Sequence, residues 1–68
     1  MQITITEFSF TIAQIIDSNW SDAEKIGMIK ASVKGAGFSM TQNGMQIKVR
    51  GDQKVISINV EAKTVEMN

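Results

Sequence analysis

The first residues of the chain alternate between polar and apolar side chains, and the residues after them do not. From Gln2 to Thr6 the alternation has the period of a pleated strand, which predicts a short β-strand. After Glu7 the apolar positions take the spacing of an amphipathic helix instead. Those positions are Phe8, Ile12, Ile15 and Ile16. We therefore expect a first strand followed directly by a first helix.

The start of this helix depends on which residue caps it. Thr6 is a suitable N-cap, and this register makes Ile5 and Phe10 the apolar pair of a hydrophobic staple. An alternative extends the first strand through Phe8, Phe10 and Ile12 with a bulge, because short apolar runs separate strand from helix poorly. The spacing favours the helix but leaves this alternative open.

A second helix is predicted after the polar break at residues 17–19. Ser21 and Glu24 have the spacing of a capping box, in which each side chain accepts a hydrogen bond from the other residue's backbone. An apolar stripe follows at helical spacing, formed by Ile26, Ile29 and Val33. Gly35 has the position of a glycine that ends a helix in the left-handed conformation, so we expect the helix to end there.

The remaining residues predict a meander of four antiparallel strands separated by three turns. The turn sequences are Asn43-Gly44, Gly51-Asp52 and the loop from Glu61 to Thr64. The predicted partners across the strands are Met40 with Ile47, Ile47 with Ile56, and Val60 with Val65. The apolar side chains then share one face, and a slip of one residue would move them to the other face.

The predicted fold class is a two-layer α+β domain that spans residues 1–68. Its elements follow the order β-α-α-β-β-β-β, with the first strand at an edge of the antiparallel sheet and both helices packed on one face. The opposite face is mostly polar and consists of Ser39, Thr41, Gln46, Lys48, Arg50, Val55, Ser57, Asn59 and Glu66.

Composition supports a sheet and excludes several kinds of chemistry. Ten isoleucines and no leucine favour a pleated, half-buried surface. The absence of cysteine and histidine excludes disulfides, thiol chemistry, a structural zinc site and an imidazole base. The acidic pairs, Asp22 with Glu24 and Glu61 with Glu66, have no nucleophile or oxyanion donor placed beside them. We expect no enzymatic activity, no cofactor and no bound metal.

Several apolar residues have no place in the predicted core, which indicates a contact surface for another protein. Met28 lies opposite the apolar stripe of the second helix, with Ala31 beside it. Trp20 lies at the joint between the helices, and Phe10 is the other large apolar residue outside the core pattern. Methionine and tryptophan are favoured at interfaces, although scattered exposed apolar residues are ordinary on any protein surface.

Two cations on the polar sheet face support an alternative, which is contact with nucleic acid. Lys48 and Arg50 project from the same side of one strand and would suit a phosphate backbone. That face has no aromatic residue for base stacking, and the net charge of zero gives little long-range attraction. The tripeptide Arg50-Gly51-Asp52 also spells an integrin-recognition sequence, but Gly-Asp is a common turn pair in its own right.

We expect a small protein-interaction module that inhibits or regulates a larger protein by covering part of its surface. In size and lack of catalytic residues the chain resembles small inhibitors and regulators encoded by phages, a likeness of type that no motif carries. A homodimer is also expected, since so small a core gains from a second copy. No apolar run reaches the length of a membrane span, and the segment MQITITEF lacks a signal core, so we expect a cytoplasmic protein without membrane contact.

Overall fold

The computed structural model describes residues 3–68 and begins with helix α1, which spans Ile5–Ile16. Thr4 is its N-cap. The backbone N–H of Glu7 donates to Thr4 Oγ1 at 3.1 Å, and the Thr4 N–H donates to Glu7 Oε1 at 3.1 Å. This capping box satisfies two backbone donors that the end of a helix would otherwise leave unpaired. The helix therefore begins two residues earlier than a Thr6 cap would place it.

The predicted first strand is wrong for the residues that the structure describes. Ile5 and Thr6 lie in the first turn of α1, and Gln2 lies outside the described residues. The alternative, a strand that continues to Ile12, is wrong as well, since this whole segment is helical. Ile5 and Ile12 also lie two helical turns apart, so Ile5 fits the helical spacing as well as the strand alternation. The capping box at Thr4 favours the helix.

Helix α2 spans Asp22–Ala36, and its predicted start is confirmed. Ser21 is the N-cap, and Glu24 completes the capping box. The predicted end is wrong, because Gly35 is helical and Gly37 is the residue that takes the left-handed conformation, with φ 81°. A residue without a Cβ adopts that conformation at little steric cost, so Gly37 ends the helix.

Four strands follow and form one antiparallel sheet in sequential order. Their bounds are Ser39–Asn43 for β1, Gln46–Gly51 for β2, Lys54–Asn59 for β3 and Thr64–Met67 for β4. Two-residue turns join the first three strands, and residues 60–63 form the last connection. The order α-α-β-β-β-β confirms the α+β class and the meander, without the leading strand.

Each predicted strand pairing is displaced by two residues in the structure. The observed partners are Met40 with Val49, Ile47 with Ile58, and Ile58 with Val65. Asp52 and Gln53 have positive φ angles of 50° and 63°, as a tight hairpin turn requires, so Gly51 stays in β2. Because a shift of two residues keeps every side chain on its face, the predicted apolar and polar faces of the sheet are confirmed.

Both helices cover one face of the sheet, and the core lies between the two layers. Helix α1 packs over β3 and β4, whereas α2 packs over β1. The buried apolar side chains are Ile5, Phe8, Ile12, Ile15, Ile16, Ile29, Val33, Ile47, Val49, Ile56, Ile58 and Val60. Val60 lies in the β3–β4 connection rather than opposite Val65 in a strand, yet its side chain completes the core. Neither helix within residues 3–68 is long and apolar enough to cross a membrane.

Candidate interaction surfaces

The helical layer carries an exposed apolar surface at the margin of the core. Trp20, in the connection between the helices, is 45% exposed, and Met28, in the middle of α2, is 42% exposed. Together they line a groove of about 240 Å³ between the helices, whose other apolar wall is Ile15, and a neighbouring hollow beside Gly27. We name this surface, formed by Trp20, Met28, Gly27 and Ile15, the Trp20–Met28 patch.

Hydrogen bonds fix the backbone around the Trp20–Met28 patch. Ser18 Oγ donates to the carbonyl of Ile15 at 2.6 Å, and the Trp20 N–H donates to Ser18 Oγ at 3.4 Å. The side chain of Lys25 is buried, and its Nζ donates to the carbonyl of Ile16 at 2.8 Å. This last bond ties α2 to the end of α1, so the two walls of the groove are held together by the fold itself.

Ala31 is not among the residues that line the groove or the hollow of the Trp20–Met28 patch. It is exposed and follows Met28 by three residues on the same side of α2. The surface at neighbouring Gly27 is open, since nothing lies within 4 Å of the position that a Cβ would take there. A partner could therefore approach the backbone of α2 closely at this point.

Phe10 is 66% exposed on α1 and does not line the Trp20–Met28 patch. Because Thr4 rather than Thr6 caps the helix, the staple positions fall on Ile3 and Phe8, and the predicted staple role of Phe10 is wrong. Phe10 lies one turn before Gln14, which does line the groove. Phe10 thus shares α1 with residues that line the groove but lies outside the patch.

Lys48 and Arg50 lie on the outer face of the sheet, on the other side of the core from the Trp20–Met28 patch. Both side chains are exposed, and Arg50 Nη1 donates to Thr41 Oγ1 at 3.4 Å. Lys48 belongs to a row of cross-strand neighbours that continues through Ser57 to the acidic Glu66. The structure therefore does not bring these two cations together with the apolar candidates.

The tripeptide Arg50-Gly51-Asp52 has a local structural explanation. Asp52 Oδ2 accepts a hydrogen bond from the N–H of Ile5 at 3.3 Å, which places its negative charge at the N-terminal end of α1. A Cβ at Gly51 would meet the ring of Phe38 at 2.5 Å, so a side chain there would require that ring to move. The carboxylate and the glycine thus support the fold, and nothing in their geometry requires an integrin.

Within residues 3–68, no group of three or more acidic side chains could hold a metal ion. Hydrogen bonds from the backbone N–H and the hydroxyl of Thr4 hold the pKa of the Glu7 carboxyl below its ordinary value, as suits a helix cap.

Comparison of the chain with protein-family models, curated proteins and solved structures finds no match.

Proposed function

We propose that this chain is a small, non-enzymatic protein-binding module that inhibits or regulates a larger protein by covering part of its surface. The observation that carries the proposal is the joint exposure of Trp20 and Met28 on one surface. Tryptophan is enriched among the residues that dominate binding energy, and methionine adapts to irregular partner surfaces. We also propose a cytoplasmic location. Because the chain has no cysteine, it needs no oxidising compartment to form disulfide bonds.

The surroundings of the Trp20–Met28 patch suit a protein partner. The groove is bordered by uncharged polar side chains of both helices and of the connection between them, namely Thr11, Gln14, Ser18 and Ser32. An apolar centre inside a polar rim is the usual anatomy of a protein interface. The mechanism we propose is steric: a rigid helical surface is placed over a site on the partner, and no covalent chemistry is involved.

A second candidate function is nucleic-acid binding through Lys48 and Arg50. Both cations are exposed on the outer sheet face, which favours contact with phosphate. Glu66 lies in the same row as Lys48, however, and residues 3–68 place no aromatic side chain on that face for base stacking. We therefore rank this function second and use the same experiment to separate the two.

The proposal is tested by tagged pull-down from a lysate of the source cells, with and without nuclease, read by quantitative mass spectrometry. We expect one stoichiometric protein that survives nuclease, whose affinity for the purified chain is then measured by calorimetry. Met28→Glu should weaken that binding by about 2 kcal/mol, or roughly thirtyfold in Kd, because it places a charge in the apolar centre.

The matched control is Met45→Glu, the same change at a methionine of similar exposure in the β1–β2 turn. It should leave the affinity unchanged, and circular dichroism should show that both variants are folded. Enrichment that disappears with nuclease and with Lys48→Glu/Arg50→Glu would instead establish nucleic-acid binding. If Met28→Glu and the double reversal both leave binding intact, both site assignments are wrong.

A further inference from the structure

Strand β1 is an edge of the sheet, and one side of its backbone is open. Because the turn after it has two residues, Asn43 and Gln46 form a hydrogen-bonded pair, and the backbone bonds of β1 to β2 fall on odd-numbered residues. The N–H and C=O groups of Met40 and Gln42 therefore point away from the sheet. Among residues 3–68, no turn, cap or side-chain hydrogen bond reaches these backbone groups.

This edge lacks the features that usually protect edge strands from pairing. β1 is five residues long and contains no charged residue and no proline. The opposite edge, β4, is four residues long, carries Glu66, and follows Lys63, which has a positive φ of 59°. Charge, short length and irregular backbone all discourage strand addition, so β1 is the more receptive edge.

Cations border this edge on the outer face of the sheet. Arg50 lies opposite Ser39, and its Nη1 donates to Thr41 Oγ1, so the guanidinium reaches over β1. Lys48 lies opposite Thr41 on the same face. A strand added to the open side of β1 would therefore lie one strand from the guanidinium of Arg50, with Lys48 on the strand beyond.

Cations border the same edge on the helical side as well. Met28 and Ser32 line the groove between α2 and α1. Lys30 follows Met28 by two residues and Lys34 follows Ser32 by two, so each lysine is rotated by about 200° around the helix axis from its groove residue. Both lysines are exposed on the side of α2 that faces away from α1. Since α2 packs over β1, that side lies above the open edge.

The acidic residues are segregated from this region along the sequence. Residues 25–51, which include most of α2 and all of β1 and β2, contain five basic residues and no acidic one. The rest of the chain holds all seven acidic residues and only two basic ones, Lys54 and Lys63. The net charge of zero therefore conceals a positively charged half, and the open edge of β1 lies within it.

We propose that the β1 edge binds an extended acidic segment of a protein partner, which adds a strand to the sheet. Hydrogen bonds to Met40 and Gln42 would supply backbone recognition, and the flanking cations would select acidic side chains. A nucleic acid would use the cations but not the backbone groups. A second copy of this chain would bring like charges together along the edge. The site is separate from the Trp20–Met28 patch and gives the module a second point of contact.

The test uses a blocked six-residue peptide that alternates glutamate with valine, with the protein at low ionic strength and amide hydrogen exchange as the readout. At a peptide concentration about ten times Kd, exchange at Met40 and Gln42 should slow about tenfold, because about one site in ten remains free. Two control peptides separate the contributions. The first replaces glutamate by lysine, and the second replaces the central valine by proline, which keeps the charge but interrupts the strand. Neither should protect these two amides.

Variants locate the effect on the protein. Arg50→Glu with Lys34→Glu should raise the peptide's Kd about tenfold, as expected when two exposed ion pairs are replaced by repulsions. Lys63→Glu, the same charge reversal on the β3–β4 connection, should leave the Kd unchanged. Gln42→Pro removes an N–H that β1 does not share with β2, so it should abolish binding in a protein that still folds.

Four results would overturn the proposal. The first is no protection at millimolar acidic peptide, and the second is equal binding of the lysine peptide. The third is protection of Met40 and Gln42 that rises with protein concentration alone, which would assign the edge to a second copy. The fourth is binding of an oligothymidylate probe that displaces the peptide through Lys48 and Arg50, which would assign the surface to nucleic acid. Because the probes are defined molecules, each of these results leaves the pull-down test of the Trp20–Met28 patch unaffected.

Discussion

Lys25 shows how one side chain can join two elements of a small fold. Its side chain is only 2% exposed, although lysine is rarely buried so completely. Nζ donates to the carbonyl of Ile16, the last residue of α1, where the helix leaves carbonyl groups unpaired and its dipole is negative. The ammonium group therefore caps α1 from a position on α2.

We predict that Lys25→Met lowers the free energy of unfolding by about 1–3 kcal/mol, because a buried carbonyl loses its charged donor while the aliphatic chain is retained. Urea denaturation followed by circular dichroism measures this change. Lys30→Met, the same substitution at an exposed position of the same helix, should change stability by less than about 0.5 kcal/mol. Equal stability of the two variants would show that the bond to Ile16 contributes nothing.

The sequence contained a signal for this role that hydrophobic patterning does not register. Lys25 precedes Ile29 and Val33 by one and two helical turns, so it belongs to the buried face of α2 by position alone. A pattern based on apolar residues assigns a lysine to solvent. Only the packing of α2 against the end of α1 shows which carbonyl oxygen accepts a hydrogen bond from this amine and so offsets the free-energy cost of burying it.

For whole elements, the sequence predicts faces more securely than it predicts registers and ends. All three strand pairings are displaced by two residues, because a period of two fixes which side of the sheet a residue faces but not which partner it has. The turns decide the register, and the conformation of Asp52 and Gln53 is not evident from a Gly-Asp pair. Near the N-terminus the capping box at Thr4 outweighs the five alternating residues from Gln2 to Thr6, since so short a segment fits both the strand period and the helical period.

The end of α2 provides a direct test at this scale. Gly35→Ala should stabilise the protein by about 1 kcal/mol, since Gly35 is helical and nothing lies within 4 Å of the added Cβ. Gly37→Ala should destabilise it by about 1 kcal/mol, because φ at Gly37 is 81° and a side chain is strained there. Thermal unfolding of both variants measures the difference. The opposite order of stabilities would place the end of the helix at Gly35, as the sequence pattern alone suggested.

For the molecule as a whole, the distribution of charge is more informative than its sum. The positively charged half, residues 25–51, can be read from the sequence. The sequence does not show that this half surrounds an open strand edge, because the packing of α2 over β1 is a tertiary contact. The Trp20–Met28 patch was predictable only in part: helical spacing exposes Met28, but the position of Trp20 depends on the connection between the helices.

Self-association tests this view of the whole molecule. The small core favours a second copy, and the open edge of β1 is where its strand would pair, but the flanking cations of two copies would repel each other. In an antiparallel pair centred on Thr41, the two Thr41 Cα atoms would lie about 4.5 Å apart, within disulfide range.

The chain has no cysteine, so Thr41→Cys is a clean reporter under oxidising conditions. We expect little disulfide-linked dimer at low salt and more as salt screens the cations. Ser39→Cys, which would lie about 13 Å from its own copy, should stay monomeric throughout. Cross-linking of Thr41→Cys that is strongest at low salt would show that the cations do not oppose pairing. Its absence at every salt concentration would exclude a β1 pair centred on Thr41.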